Sequence, residues 1–481
     1  MRIDNKSVIT NFIWRFAERC GAQGVTLIVS IVLARLLVPE AYGKIALITV
    51  FTTILNVFVD SGLGNALIQK KDADELDFST VFICNIIFCI VLYLAMFFAA
   101  PIISDFYGDM SLVPVIRVLS ITILISGLKN VQQAYVSRTM QFKKFFISTL
   151  GGTIGAAVLG ITIAYLGGGI WALVAQQVFN ITVDTIILWI TVKWRPQRRF
   201  SFERLKGLFS YGWKLLVSSL IDTLYNNARS LIIGKIYSSS DLAYYNQGKK
   251  LPELIASNVN TSIDSVLLPT MSNVQDNRER VKAMTRRAIK TSTYIMAPLM
   301  MGLAFCSRNI VMLVLTEKWL PCVPFLVVFC INYMFFPIHT ANLNAIKAMG
   351  RSDMFLKLEI IKKIVGFIVL FSTMWFGVWV MALSSLGVSL MSQVINSWPN
   401  RKLLNYGYLE QLKDILPSII AALIMGAGVL MIEFLGLPSV ICLIVQIICG
   451  AIIYLFISIV FKFEAFIYLL DIIKSLVFKN K

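Results

Sequence analysis

Fourteen stretches of this chain read as candidate membrane spans, and that constrains the fold before any motif is read. A membrane span needs about 20 apolar residues. The stretches run approximately over 12–37, 42–68, 80–104, 112–136, 146–166, 169–192, 211–236, 244–269, 285–306, 321–346, 356–376, 379–400, 414–435 and 439–461. Hydrophobic residues make up 57% of the chain and charged residues only 15%, against roughly 45–50% and 25% in a soluble domain. The expected architecture is therefore an all-α polytopic membrane protein with about fourteen transmembrane helices. The stretches on either side of Gly167-Gly168-Gly169 are joined by that short turn alone. The segment 1–19 is too polar for a cleavable signal peptide, so the first span itself is expected to target the chain to the membrane.

The formal charge of +18 is not a nucleic-acid footprint, because it is sorted by loop. Alternate loops hold Lys70 and Lys71; Arg138, Lys143 and Lys144; Arg195, Arg198, Arg199, Arg204 and Lys206; then Arg278, Arg280, Lys282, Arg286 and Arg287. Arg351, Lys357, Lys362 and Lys363, then Arg401, Lys402 and Lys413, continue the series. The loops between them offer little beyond Lys44, Arg308 and Lys318. By the positive-inside rule the basic loops and both termini are expected in the cytoplasm. The eight cysteines fall almost entirely in apolar stretches without a CxxC pattern. They read as small hydrophobes, and neither a metal site nor a disulfide is expected.

No loop is long enough to form a soluble domain. The longest polar stretch, 193–210, is basic and contains Trp194 and Phe200. It reads as a linker whose charges meet anionic headgroups, and it divides the chain into lobes of six helices each, 1–197 and 198–403. Two additional helices and a tail occupy 404–481. A weak internal repeat supports the division. Segment 34–43 recurs as 234–245, each with a cation at the end of a span, a short acidic turn and an aromatic residue opening the next span. Segment 138–145 corresponds to 348–355. Repeated halves with a site between them are a recurring transporter plan.

Polar residues inside the spans fall on single helical faces, stepping by three or four. Arg15, Arg19, Gln23, Thr26 and Ser30 share one face; Thr49, Thr53, Asn56, Asp60 and Gly64 share another. Asp222, Asn226 and Arg229 align, with Asn227 beside them. The longest stripe is Asn246, Lys250, Glu253, Ser257, Asn260 and Asp264, flanked by Lys249. An ionisable group at mid-membrane costs roughly 2.5–3.5 kcal/mol, so such groups must face one another, water or a ligand. Four such stripes would line one cavity, with Arg15 and Arg19 as an inner cationic pair and Arg229, Lys249 and Lys250 as an outer cluster. The candidate substrate-binding set is Arg15, Arg19, Asn226, Asn227, Arg229, Asn246, Lys249 and Lys250. Its excess of cations points to an anionic substrate. The structural alternative is mutual neutralisation, since Arg15–Glu18–Arg19, Asp222–Arg229 and Lys250–Glu253 are all within helical reach. Arg35 and Lys235, at span ends, read as snorkelling cations.

Acids and the single histidine are the ion-coupling candidates: Asp60 first, then Asp222, Glu253, Asp264 and His339. A packing role is open for each of them. Asn130, Gln133, Gln177, Asn180 and Asp184 read as interhelical glue. No GxxxxGK[ST] motif, metal constellation or Ser/His/Asp set is present. The expected class is a secondary transporter that is not an enzyme and carries no cofactor, with H+ or Na+ as coupling ion.

Several short pieces carry a family resemblance. They are 33–43, 60–69, Tyr245-Asn-Gln through Leu251-Pro252, Leu267-Leu-Pro269, Glu317-Lys-Trp319 and Ala348-Met-Gly-Arg351. Over essentially the whole chain the sequence resembles the polysaccharide-transporter branch of the MOP exporter superfamily, in particular the Wzx-type, WzxC-like flippases. The resemblance implies two six-helix lobes around a central cavity plus two extra helices. It also implies alternating-access flipping of an undecaprenyl-diphosphate-linked oligosaccharide across the bacterial inner membrane, for surface polysaccharide such as lipopolysaccharide or capsule. The implied partners are that lipid-linked glycan, membrane lipids and a polysaccharide polymerase with its export machinery; nucleic acid is not among them, and a monomer is expected. A diphosphate suits Arg and Lys clamps. Two alternatives stay open: a multidrug/cation antiporter of the same superfamily, which would want acids in its cavity, and a membrane glycan polymerase or ligase, which would want a larger external loop.

Overall fold

The computed structural model describes residues 5–60, 63–70 and 72–478, apart from the side chains of 5–13, 15, 16, 20, 211, 472, 473 and 476–478. Nineteen α-helices and one 3-10 helix make up the described chain, without a strand. They are α1 (Asn5–Leu36), α2 (Pro39–Asp60), α3 (Leu63–Gln69), α4 (Glu75–Tyr107), α5 (Leu112–Leu119), α6 (Ile121–Arg138), α7 (Phe142–Tyr165), α8 (Ile170–Thr191), α9 (Phe202–Ile236) and α10 (Ser239–Ser272). Then follow α11 (Arg278–Phe305), α12 (Ser307–Val314), the 3-10 turn Glu317–Cys322, α13 (Val323–Met334), α14 (Phe336–Ala348), α15 (Ser352–Thr373), α16 (Val378–Leu403), α17 (Tyr408–Glu433), α18 (Ser439–Val460) and α19 (Glu464–Phe478).

The chain is a multi-pass membrane protein. Ten helical segments among the described residues are long and apolar enough to cross a bilayer, and α11 with α12, bent by 67°, makes an eleventh if the two count as one span. The expected number of fourteen is not established by this criterion. Helices stand where the other three spans were expected, but α9, α10 and α15 do not meet this measure, their charged, amide and hydroxyl residues making them less apolar. Lys214, Asp222 and Arg229 lie in α9, Lys249, Lys250, Glu253 and Asp264 in α10, and Lys357, Glu359, Lys362 and Lys363 in α15. Several expected single helices are also interrupted. The span expected over 112–136 breaks at Ser120 into α5 and α6, and the one over 321–346 breaks at Phe335, two residues before Pro337, into α13 and α14. The three-glycine turn holds as expected: Gly167 and Gly169 take φ of 81° and 53°, and the Gly168 N–H donates to Ile163 O at 2.9 Å, closing α7.

The chain forms two compact units, Met1–Ala243 and Tyr244–Lys481. In the first, α9 packs on α2, α3 and α4. The stretch expected to be a linker is anchored here. Trp194 is 4% exposed at the centre of a core with Leu67, Phe78, Phe82, Val131 and Leu188, its ring 5.8 Å from Phe78 and 6.0 Å from Phe82. The backbone N–H groups of Gln197 and Ser201 donate to Ser79 Oγ at 2.9 Å and Thr80 Oγ1 at 3.2 Å, fastening the strap to the first turns of α4.

The second unit has its own core around Met271, Val281, Ile289, Ile338, Ala345, Tyr406 and Ile415. The helix α17 packs along α11 through an ion network and meets α14 and α16 through a buried amide cluster. Asn342 Nδ2 donates to Gln411 Oε1 at 2.8 Å, and Asn400 Nδ2 donates to Asn342 Oδ1 at 2.7 Å. Asp414 receives Arg286 at 2.7 Å, Lys290 at 3.3 Å and the Tyr406 hydroxyl at 2.8 Å. Lys290 reaches on to Glu464 of α19 at 2.6 Å. What read as a tail is thus a helix docked on α11.

The repeated segments 34–43 and 234–245 meet. A Cβ on Gly43 would lie 1.7 Å from the carbonyl oxygen of Ser239, and one on Gly234 would lie 2.1 Å from Leu47 Cδ1. Backbone cannot yield as a flexible side chain can, and overpacking of this kind costs roughly 1–3 kcal/mol or more. Gly43→Ala is expected to lower the apparent unfolding temperature of the detergent-solubilised protein. Gly24→Ala, whose Cβ meets nothing within 4 Å, is the control and should leave it unchanged or raise it. Equal melting of the two variants would show that this contact is not maintained.

Candidate functional site

In the first unit the stripe on α1 divides. Arg19 is exposed and makes no ion pair among the described residues; the side chain of Arg15 lies outside the described residues. Glu18 turns the other way. It is 9% exposed and accepts a hydrogen bond from Thr149 Oγ1 of α7 at 3.5 Å.

Asp60 ends α2, is exposed, and accepts from Asn130 Nδ2 of α6 at 2.9 Å. Gly64 is what lets Asn130 sit there: a Cβ on it would lie 2.6 Å from Asn130 Oδ1. Gly62, the other glycine of this turn, lies outside the described residues. Beside Asn130, Lys129 forms an ion pair with Asp184 of α8 at 2.8 Å, the two side chains being 19% and 8% exposed. Lys129 was missed from sequence. The signal was one lysine in one apolar stretch and one aspartate in another, with nothing in either stretch to join them. Asn130 and Asp184 do connect helices, α6 to α2 and α8 to α6.

On α9, Asp222 and Asn226 are exposed. Asn227 is occupied by its own helix, its Nδ2 donating to Thr223 O at 2.8 Å. Arg229 is half-buried and its Nε is buried without a hydrogen-bond partner. The Asp222–Arg229 pair allowed by spacing does not form, since Arg229 makes no ion pair among the described residues. A guanidinium always carries its charge, so Arg229 is a cation with unused donors.

In the second unit, the pair expected between Lys250 and Glu253 is also replaced. Lys249 takes Glu253 at 3.2 Å, the i,i+4 geometry, and Lys250 is half-buried without an ion pair among the described residues. Asn246 is half-buried and Asp264 is exposed. Asn260 is buried and accepts from Thr340 Oγ1 of α14 at 3.0 Å. His339 sits between α14 and α16. Its Nδ1 is 3.0 Å from Asn396 Nδ2, and its Nε2 is 3.5 Å from Ser389 Oγ.

At the end of the first unit that bears the basic loops, Asp74 and Asp77 hold two of the cations, Lys70 and Arg204. Asp77 is 0% exposed, with Lys70 Nζ at 2.7 Å and Arg204 Nη1 at 3.4 Å. Asp74 caps α4. The Asp77 backbone N–H it accepts, with the nearby charge of Arg204, holds its carboxyl below the usual carboxylate range. Lys70 and Arg204 thus have acid partners, whereas Arg19, Arg229 and Lys250, on the long helices, have none among the described residues.

The profile of a family described as "Polysaccharide biosynthesis protein" matches residues 32–324. Among curated proteins the chain is similar to the teichuronic acid biosynthesis protein TuaB of Bacillus subtilis (strain 168), 26% identical over 63% of this chain and 63% of the relative. It is also similar to the lipopolysaccharide biosynthesis protein WzxC of Escherichia coli (strain K12), 23% identical over 70% of this chain and 69% of the relative. The match thus spans a little under two thirds of TuaB's length. Among solved structures, the lipid II flippase MurJ in its inward closed conformation has the same fold, with a TM-score of 0.75 at 15% identity over 95% of this chain and 99% of that one.

Proposed function

The chain belongs to the polysaccharide biosynthesis protein family, and from that premise we propose that it is a flippase for a polyprenyl-diphosphate-linked oligosaccharide. The observation that carries the proposal is the set of cations without acid partners, Arg19, Arg229 and Lys250, on helices rich in amides and hydroxyls. A diphosphate satisfies such donors by charge-assisted hydrogen bonds, and the glycan suits the amides Asn226 and Asn246. The named functions of TuaB and WzxC in polysaccharide biosynthesis and of MurJ as a lipid II flippase support the reading. A cationic drug would meet the wrong sign of charge at these residues. The test is competition. Purified protein should retain an undecaprenyl-diphosphate oligosaccharide against excess neutral glycolipid and lose it to excess undecaprenyl diphosphate. Tighter retention of an organic cation than of the diphosphate would reject the proposal.

In this reading the protein is a monomeric secondary transporter of the bacterial inner membrane. Lobes 1–197 and 198–403 are the repeat halves, and the polymerase and export machinery take the product onward. Both termini are cytoplasmic. The basic loops support that orientation, and a reporter fused at Lys481 that is active only outside the cytoplasm would overturn it.

Coupling to H+ or Na+ is assigned to Asp60. An acid can take up an ion in one access state and release it in the other when its surroundings differ between them, and Asn130 is a neutral partner that tolerates both forms. Asp60→Asn is expected to lose the response to an imposed ion gradient more completely than it loses substrate binding. Gradient-driven flipping retained by the Asn variant would make Asp60 a packing residue and move the search to Asp222, Glu253, Asp264 or His339.

A further inference from the structure

The first turns of α9 carry a surface that the transport stripe, beginning at Asp222, does not use. Phe209 and Trp213 are 56% and 46% exposed. They form one wall of a groove of about 470 Å3 whose other wall includes Phe58 of α2 and Asn85 and Phe88 of α4. The Phe58 and Phe88 rings stand 6.1 Å apart. All of these residues belong to the first unit.

Apolar side chains facing lipid are ordinary in a membrane protein, but two further features set this groove apart. Asn85, also in its wall, is 3% exposed and its amide nitrogen is buried without a partner. Its lining also includes Lys206, exposed and without an ion pair among the described residues. Arg198 and Arg199 of the strap leading into α9 are exposed but are not in the groove's lining. A concave apolar surface with one unpaired lysine in its lining is complementary to an amphiphile with an anionic head. Chain burial alone cannot select a ligand here, because lipid tails are as apolar as the groove. Selection must come from the headgroup.

We infer that this groove binds an anionic glycerophospholipid, one acyl chain lying between α4 and α9 and the phosphate meeting Lys206. A single-phosphate lipid fits better than a diphosphate carrier. The cation inside the groove is a lysine, a point charge. The arginine of the same helix turn, Arg204, is already engaged by Asp74 at 3.3 Å and Asp77 at 3.4 Å, so it offers no free fork.

Trp213 supplies the probe. The full chain is reconstituted in vesicles containing phosphatidylglycerol or phosphatidylcholine with brominated acyl chains, which quench nearby indoles. The Trp213 signal is isolated from that of the nine tryptophans by subtracting a Trp213→Phe variant. Brominated phosphatidylglycerol should quench Trp213 at about fivefold lower mole fraction than brominated phosphatidylcholine, the preference expected for one lysine at an anionic headgroup. Lys206→Gln should remove that preference while the remaining tryptophans emit as before, showing an intact fold. Equal quenching by the two lipids, or a preference that survives Lys206→Gln, overturns the inference. So does relief of quenching by undecaprenyl diphosphate at lower concentration than by unbrominated phosphatidylglycerol, which would give the groove to the carrier lipid.

Discussion

Arg229→Ala is expected to abolish translocation while the protein still inserts and accumulates normally. The guanidinium stays charged within a helix of the membrane domain and has a buried Nε that nothing accepts from. A structural arginine would have an acid partner, and the nearest candidate by spacing, Asp222, is not in ion contact with it. If the donors serve substrate, each lost charge-assisted bond costs roughly 1.5–3 kcal/mol. Two such bonds correspond to a loss of at least about 100-fold in translocation rate at limiting substrate. Lys250→Ala should behave alike, and Arg19→Ala more mildly because Arg19 is exposed. Lys249→Ala is the internal comparison, since Lys249 already holds Glu253; its effect should be several-fold smaller. Wild-type translocation in Arg229→Ala and Lys250→Ala at normal protein levels would show that these cations are structural or idle.

The largest loss of stability is expected from breaking the Lys129–Asp184 pair. Both side chains are largely buried, and one carboxylate oxygen of Asp184 already lacks a partner. Removing one member leaves a buried charge uncompensated, which costs roughly 3–5 kcal/mol, whereas removing both at once is often close to neutral. Lys129→Ala and Asp184→Ala should each lower the apparent unfolding temperature sharply, and Lys129→Ala/Asp184→Ala should recover most of the difference. Additive losses in the double variant would show that the pair carries no coupling energy. Asn130→Ala is an informative neighbour. It frees Asp60 without touching the ion pair, so a change in ion response without a change in melting would separate the two functions of this polar cluster.

The membrane class was legible because lipid imposes a length and an apolarity on every span, and both are properties of single stretches. Where helices break inside an apolar background the signal fails. Ser120 and Phe335 interrupt spans without lowering hydrophobicity, so two interrupted segments read as continuous helices. The stretches 211–236 and 244–269 fall on the helices α9 and α10, although these are too polar to meet a measure of length and apolarity. The anchoring of the strap was not legible for the opposite reason. Its arginines dominate its composition, while the single buried Trp194 decides where it lies. Pairing was the least legible property. Lys249 and Lys250 are both within helical reach of Glu253, and only three-dimensional packing chooses i,i+4 over i,i+3. Lys129 escaped notice because its partner is 55 positions away in sequence, beyond any helical period. Asn130, one residue on, was recognised as glue from its amide alone.

The most direct measurement is translocation by the purified protein in vesicles loaded with a fluorescent undecaprenyl-diphosphate oligosaccharide, scored by the fraction that becomes accessible to an external modifying reagent. Wild-type protein should expose the labelled lipid, faster under an imposed H+ or Na+ gradient, and Arg229→Ala should match protein-free vesicles. Equal accessibility in wild-type and protein-free vesicles across a panel of lipid-linked oligosaccharides, with the protein shown to be folded, would contradict the flippase assignment.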